Sequence, residues 1–219
     1  MFSRPQPSRC LLAITAFALL LLCPGLAWAE EPRVEVAAED QAVTVTGWYP
    51  APSLATTEEG VQPRIADLPS LAERPGQPVL PHQQVTVVLP PGRSVAGMRV
   101  SGRREAVPGT HYVAWGRPPS PIRGQSAGAG EPDARTYAST SAYPARPSRV
   151  VHEGFFRGYR VATLQVRPVQ WVPASGELFA WRELRIELEL GPAQTRPAAG
   201  VRGSAHDLQA LSGLAENPE

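Results

Sequence analysis

The stretch VVHEGFFRGYRVATLQVRPVQWVPASGELFAWRELRIELEL, residues 150–190, decides the fold. Val150–Phe156 and Tyr159–Val169 read as two strands, because apolar and polar residues alternate with the period of two that a half-buried strand requires. Arg157-Gly158 between them is a hairpin turn or bulge. After Gln170-Trp171-Val172-Pro173, the residues Ala174-Ser175-Gly176-Glu177 make a second turn, and Leu178–Leu190 is the last strand. Phe179 and Trp181 share one parity in it, whereas Leu184, Ile186, Leu188 and Leu190 share the other. A one-residue slip flips side chains across a sheet, so a β-bulge near Arg182–Glu183 is expected, with Arg185, Glu187 and Glu189 facing solvent.

Shorter strands are expected upstream: a weak one at Val34 and Val36, then Ala42–Trp48, with Val43, Val45 and Gly47 on one face. Gln84–Leu89 is closed by a tight Pro90-Pro91-Gly92 turn. Val95–Val100 follows, then a break at Ser101-Gly102, then His111–Trp115. Residues 49–78 read as a long loop with a turn of helix near Ile65–Leu71, and residues 116–148 as a mobile, Pro- and Gly-rich surface loop. Past Gly191 comes a Pro/Ala/Gly linker, 191–203. Ser204-x-x-Asp207 then starts a short helix carrying Leu208, Leu211 and Leu214 in a tail, 204–219. About eight strands, with no helices to make parallel crossovers, predict an all-β fold: an antiparallel β-sandwich over 30–190 with a short C-terminal helix.

The first 29 residues read as a cleavable signal peptide. Arg4 and Arg9 precede an apolar run from Leu11 to Leu22, Pro24-Gly25 breaks it, and Ala27 and Ala29 offer small residues ahead of Glu30. The run is shorter than the roughly 20 residues that span a bilayer. A secreted, extracellular product is therefore expected, with the periplasm as the alternative and no membrane association after signal removal. Cleavage leaves 190 of the 219 residues and removes both cysteines, Cys10 and Cys23. The exported chain would then have neither a disulfide nor a thiolate nucleophile.

Every basic residue is Arg, and the 21 basic residues nearly balance the 20 acidic ones. That balance argues against a nucleic-acid partner bound through a basic face. Gly124-Gln125-Ser126-Ala127-Gly128 matches the G-x-S-x-G nucleophile elbow, with Asp133 and His152 following. The chemistry needs a strand before the serine and a helix after it, and the flanks here are Pro- and Gly-rich, so hydrolase chemistry is not expected. The histidines His82, His111, His152 and His206 are scattered singly, without metal-ligand spacing. No cofactor fingerprint is present, and the chain is read as a non-enzyme. Tyr159, Trp171, Phe179 and Trp181 either fill the core around the final hairpin or form a sugar-stacking platform.

Several motifs resemble a known family. Gly76-Gln77-Pro78-Val79-Leu80-Pro81, followed by Val85–Leu89 and Pro91-Gly92, is similar to the entry and first turn of the gingipain-type propeptide. That propeptide is the N-terminal prodomain of the C25 cysteine peptidases. Gly154-Phe155-Phe156-Arg157-Gly158-Tyr159-Arg160, Val166-Arg167-Pro168-Val169-Gln170-Trp171, Gly176-Glu177-Leu178 and the Leu184–Leu190 strand resemble its second half. Leu208 through Asn217 looks like the helical piece that precedes the catalytic domain.

The resemblance implies a β-sandwich prodomain that keeps a C25-type cysteine endopeptidase latent and assists its folding. The sequence stops at Glu219, where the peptidase domain would start, so the partner is expected in trans or from a neighbouring gene. A truncated or split peptidase, a free-standing inhibitor and a sandwich reused for another partner all fit. Arg117, Arg123, Arg135 and Arg146 in the 116–148 loop are candidate contacts, since an Arg suits an acidic specificity pocket. The rival reading is an exported module that binds carbohydrate or a cell-surface partner.

Overall fold

A computed structural model describes residues 31–118, 130–193 and 204–218. The signal-cleavage residues Ala27, Ala29 and Glu30 lie outside them, as do Arg123 and Ser126. The described residues are dominated by antiparallel strands: β1 (Arg33–Ala38), β2 (Ala42–Trp48), β3 (Ser53–Thr57), β4 (Gly60–Arg64), β5 (Ser70–Leu71), β6 (Leu80–Pro81), β7 (Gln83–Val88), β8 (Arg93–Val107), β9 (Ser148–Phe156), β10 (Tyr159–Val166), β11 (Val169–Val172) and β12 (Glu177–Pro192). The two helices among the described residues are short: α1 (Ala134–Tyr137) and α2 (Ala205–Ser212).

Two sheets face each other. In the larger, β12 is the spine: β8 pairs along its length, while β2 and β11 share its other side in tandem, and β1 pairs with β2. The smaller sheet has the order β7-β10-β9. Val43, Val45, Leu184, Ile186 and Leu188 of the first meet Val85, Val87, Leu164 and Val166 of the second in one core, each at most 1 % exposed. Burying each such side chain contributes about 1.5–3 kcal/mol relative to leaving it in water. The alternation that marked these strands is thus the alternation of core and outer face.

The β9–β10 turn is as tight as its sequence requires: Arg157 has φ 49° and Gly158 φ 91°. Positive φ at both central residues gives the turn a twist matching that of the strands. β12 has its bulge between Trp181 and Glu183, at the expected place but with a different phase. Leu178 and Ala180 are buried with Leu184, Ile186 and Leu188, so β12 keeps one parity toward the core throughout. The extra residue, Arg182, shifts the phase of β8: Val107 and Glu105 stand opposite the first pair, Gly102, Val100 and Met98 opposite the rest. Phe179 and Trp181 lie on the outer face, where the Arg104 guanidinium stacks 4.4 Å from the Phe179 ring centre.

Three expectations need correction. Residues 49–78 contain the β3–β4 hairpin and β5 in place of one long loop, and no helix forms at 65–71. The break expected at Ser101-Gly102 does not occur: β8 runs through, with Gly102 at φ 138°. A Cβ there would stand 2.2 Å from the Glu183 carbonyl oxygen, which is why glycine occupies the position. His111–Trp115 makes isolated bridges, Val61 to Val113 and Pro78 to Trp115, without forming a strand.

α2 makes a third layer on the outer face of the smaller sheet. The Ser204 hydroxyl accepts from the Asp207 amide at 3.1 Å, capping the helix start as its spacing predicted. Leu211 is fully buried against Val161, with Val88, Phe156 and Tyr159 around it. No helix among the described residues is long and apolar enough to cross a membrane.

Candidate functional site

The described arms of the Arg-bearing segment, residues 116–118 and 130–148, are built into the body of the sandwich. On the incoming arm, the Val61 amide donates to Tyr112 O at 2.7 Å and the Ala114 amide to Val61 O at 2.8 Å. The Val79 amide donates to Ala114 O at 2.8 Å, and the Gly116 amide to Gln77 O at 2.9 Å. Residues 112–116 are thereby threaded between β4 and the Gly76–Val79 entry, burying Val113 and Ala114. Gly76 holds both arms: its amide donates to Gly116 O and its carbonyl accepts from the Asp133 amide, each at 2.8 Å. It sits at φ 82°, and a Cβ would stand 2.7 Å from Glu131 O, so only glycine fits. Pro118 and Gly130 come together as well: a Cβ on Gly130 would lie 2.6 Å from Pro118 Cδ.

The returning arm, residues 130–148, is not the mobile surface loop its composition suggests. Asp133 caps α1, its Oδ1 accepting from the Thr136 amide at 2.7 Å, which holds the Asp133 carboxyl below its usual range. The Tyr137 hydroxyl donates to Val113 O at 2.7 Å, and its ring packs edge-on to Trp171 with centroids 5.0 Å apart. Burial pushes the Tyr137 phenol up, so it stays protonated as a donor. Tyr143 and Trp171 exchange main-chain bonds of 2.7 and 2.8 Å, extending the β11 edge. The Trp171 indole, 1 % exposed, donates to His111 O at 2.9 Å. Trp171 is therefore the pillar on which both arms rest.

A charged cluster fastens the far side of this returning arm, a strap of residues 130–148 across the sandwich. Arg167, 3 % exposed, pairs with Glu73 at 3.1 Å and donates to the Tyr143 hydroxyl at 3.3 Å. Arg149 reaches the same Glu73 carboxylate at 3.0 Å. The Tyr143 hydroxyl in turn donates to Gln77 Oε1 at 3.2 Å, joining the strap to the Gly76-Gln77 entry. Burial and the Arg167 charge both depress the His82 pKa, and the His82 Nδ1 atom lies buried without a hydrogen-bond partner.

The candidate arginines occupy different places. Arg117 is committed at the base, paired with both Glu58 and Glu59 of the β3–β4 turn. Arg135 on α1 and Arg146 on the strap are exposed. Of the nucleophile-elbow residues, Asp133 is engaged as a helix cap and His152 stands on the edge strand β9. Sequence reasoning missed the anchors Tyr137, Tyr143, Arg167 and Glu73. The available signal was two tyrosines inside an otherwise polar, Pro-rich stretch, since rings that large are rarely left unpacked.

This sandwich architecture has counterparts among solved structures. It is shared with two solved structures from Porphyromonas gingivalis. One is described as a complex of RgpB pro- and mature domains; the likeness covers 87 % of this chain and 100 % of that one, at 15 % identity and a TM-score of 0.61. The other is described as giving structural insight into the zymogenic latency of gingipain K; it covers 74 % and 94 %, at 18 % identity and a TM-score of 0.56. No family model matches the sequence, and no curated protein matches it.

Proposed function

We propose that this chain is an exported, non-catalytic prodomain-like protein that keeps a gingipain-type cysteine endopeptidase latent and assists its folding. The observation that carries the reading is the fold likeness, which spans the whole of a chain from a complex of pro- and mature domains. The built end of the sandwich supports it. Latency requires a rigid body that presents a loop without letting it adapt to the active site, and the Gly76, Trp171 and Glu73 anchors supply that rigidity. In this reading the segment held at Arg117 meets the peptidase, with Arg123, Arg135 and Arg146 as candidate contacts for an acidic specificity pocket.

Residues 30–219 titrated into a purified gingipain-type peptidase test it. The expected result is inhibition with a one-to-one end point and co-elution of the two proteins; full activity with no co-elution overturns the reading. Replacing residues 119–129 with a Gly/Ser stretch tests the loop separately, and undiminished inhibition would remove the loop from the mechanism. The rival, carbohydrate binding, needs an open row of rings. Trp171 is buried, and Trp181 donates to Gln170 Oε1 at 3.0 Å close beneath the Arg104 guanidinium.

A further inference from the structure

The two sheets protect their open edges differently. Along β8, Arg99, Arg103, Arg104 and Glu105 are all exposed, and charges on an edge strand discourage pairing with another chain. β7, the outer strand of the smaller sheet, reads Gln83-Gln84-Val85-Thr86-Val87-Val88. It has no charge and no proline, and ends in a β-branched run, the composition of a segment that seeks strand partners.

Its cover is the C-terminal tail. The Glu216 amide donates to Thr86 O at 3.0 Å. The Val88 amide donates to Asn217 Oδ1 at 2.8 Å, and Asn217 Nδ2 donates to Val88 O at 3.2 Å. These are the bonds a neighbouring strand would make, supplied by one main-chain group and one side-chain amide. Leu211 of α2 and Ala215 just beyond it seat the tail against the sheet, and Arg157 ties it down by donating to Asp207 Oδ1 at 2.8 Å.

We propose that residues 204–217 are an edge guard that keeps the sandwich monomeric, and that a β7 strand left uncovered pairs antiparallel with β7 of a second copy. Two copies suit each other because neither strand carries a charge to repel the other. Antiparallel pairing would also keep Val85 and Val87 of both copies on the core face, joining two three-stranded sheets edge to edge.

The test uses residues 30–219 with Leu211→Asp, which unseats the helix, and separately with Asn217→Ala, which removes only the amide. Hydrogen exchange at individual amides and sedimentation velocity are read together. The wild-type chain is expected to be a monomer with a protected Val88 amide. Both variants should lose protection at Val88 by tenfold or more at concentrations where they are monomers, and regain it as they form dimers at higher concentration. Val85 and Val87, whose amides face β10, should stay protected. Added peptide 204–219 should return the Leu211→Asp protein to monomer, and so should a Thr86→Lys change in that background. Variants that remain monomers with an unprotected Val88 at every concentration would overturn the proposal, as would dimers that Thr86→Lys leaves intact. Should Leu211→Asp also expose Val85 and Val87, the domain has opened and Asn217→Ala decides by the same criteria.

Discussion

The Tyr49 ring lies directly over Gly47, so close that a Cβ on the glycine would stand 2.6 Å from the phenolic oxygen. Gly47 pairs with Leu184 across the larger sheet, and the ring fills the core volume that a side chain at 47 would otherwise occupy. Tyr49 is 3 % exposed and donates to Gln83 Oε1 at 3.1 Å, so one aromatic side chain links the two sheets. Gly47→Val would drive the ring out of this slot. Overpacking of this kind costs about 1–3 kcal/mol, and thermal unfolding followed by circular dichroism should show the loss.

Ile186 and Arg185 are neighbours on β12 with opposite fates. Ile186, 1 % exposed, sits in the centre of the core, whereas Arg185 faces water. Ile186→Ala is expected to cost about 2–5 kcal/mol, and Arg185→Ala less than about 0.5 kcal/mol. Urea denaturation of the two variants side by side checks the assigned face of the strand.

Glu73 neutralises a buried guanidinium. Glu73→Ala leaves the buried Arg167 without its carboxylate, and because Glu73 itself reaches solvent the loss should fall below the roughly 3–5 kcal/mol of a fully buried pair broken from one side. The damage should be local to the strap. Amide exchange at Tyr143 and Arg167, whose main-chain bonds run to Trp171 and Pro147, should rise more than exchange at Val45.

Stability should fall as pH drops below about 6.5. The folded state holds the His82 pKa below that ordinary value through burial and the nearby Arg167 charge. Between the folded and unfolded pKa values the unfolded chain binds more protons, so the His82 contribution is complete above pH 6.5 and is lost as pH falls through the folded value. Denaturant midpoints from pH 7.5 to 5 should decline for the wild-type chain and less steeply for His82→Gln.

Trp171 should be the tryptophan least accessible to a soluble quencher. Trp171→Phe is expected to remove the blue-shifted, acrylamide-resistant part of the emission and leave the accessible part. Equal quenching of wild type and variant would contradict its burial under Tyr137 and Tyr112.

The spine of the fold was legible because residues 150–190 carry strong alternation and turn chemistry with few exceptions. Even there the bulge at Arg182 falls where the sequence places it but acts on β8, because Leu178 and the small Ala180, and not the larger Phe179 and Trp181, hold the core parity of β12. The β3–β4 hairpin leaves no mark in the sequence because Leu54 and Pro63 stand opposite each other in a two-stranded ribbon outside the main sheets, where no alternation is needed. Gly102 read as a break because glycine usually ends strands; here it lets β8 pass close to Glu183. The anchors of the strap were illegible for a different reason. Tyr137, Tyr143 and Glu73 take their partners from Val113, Gln77 and Arg167, and such distant contacts leave no local pattern.

Pro118 and Gly130 meet at the surface of the sandwich, and Gly76 fixes the arms behind them. The ends of the intervening stretch are therefore brought together by the scaffold, so changing its length adds little closure entropy, about 0.6 kcal/mol per doubling. The body that carries Pro118 and Gly130 is thus expected to fold as before whatever sequence joins them.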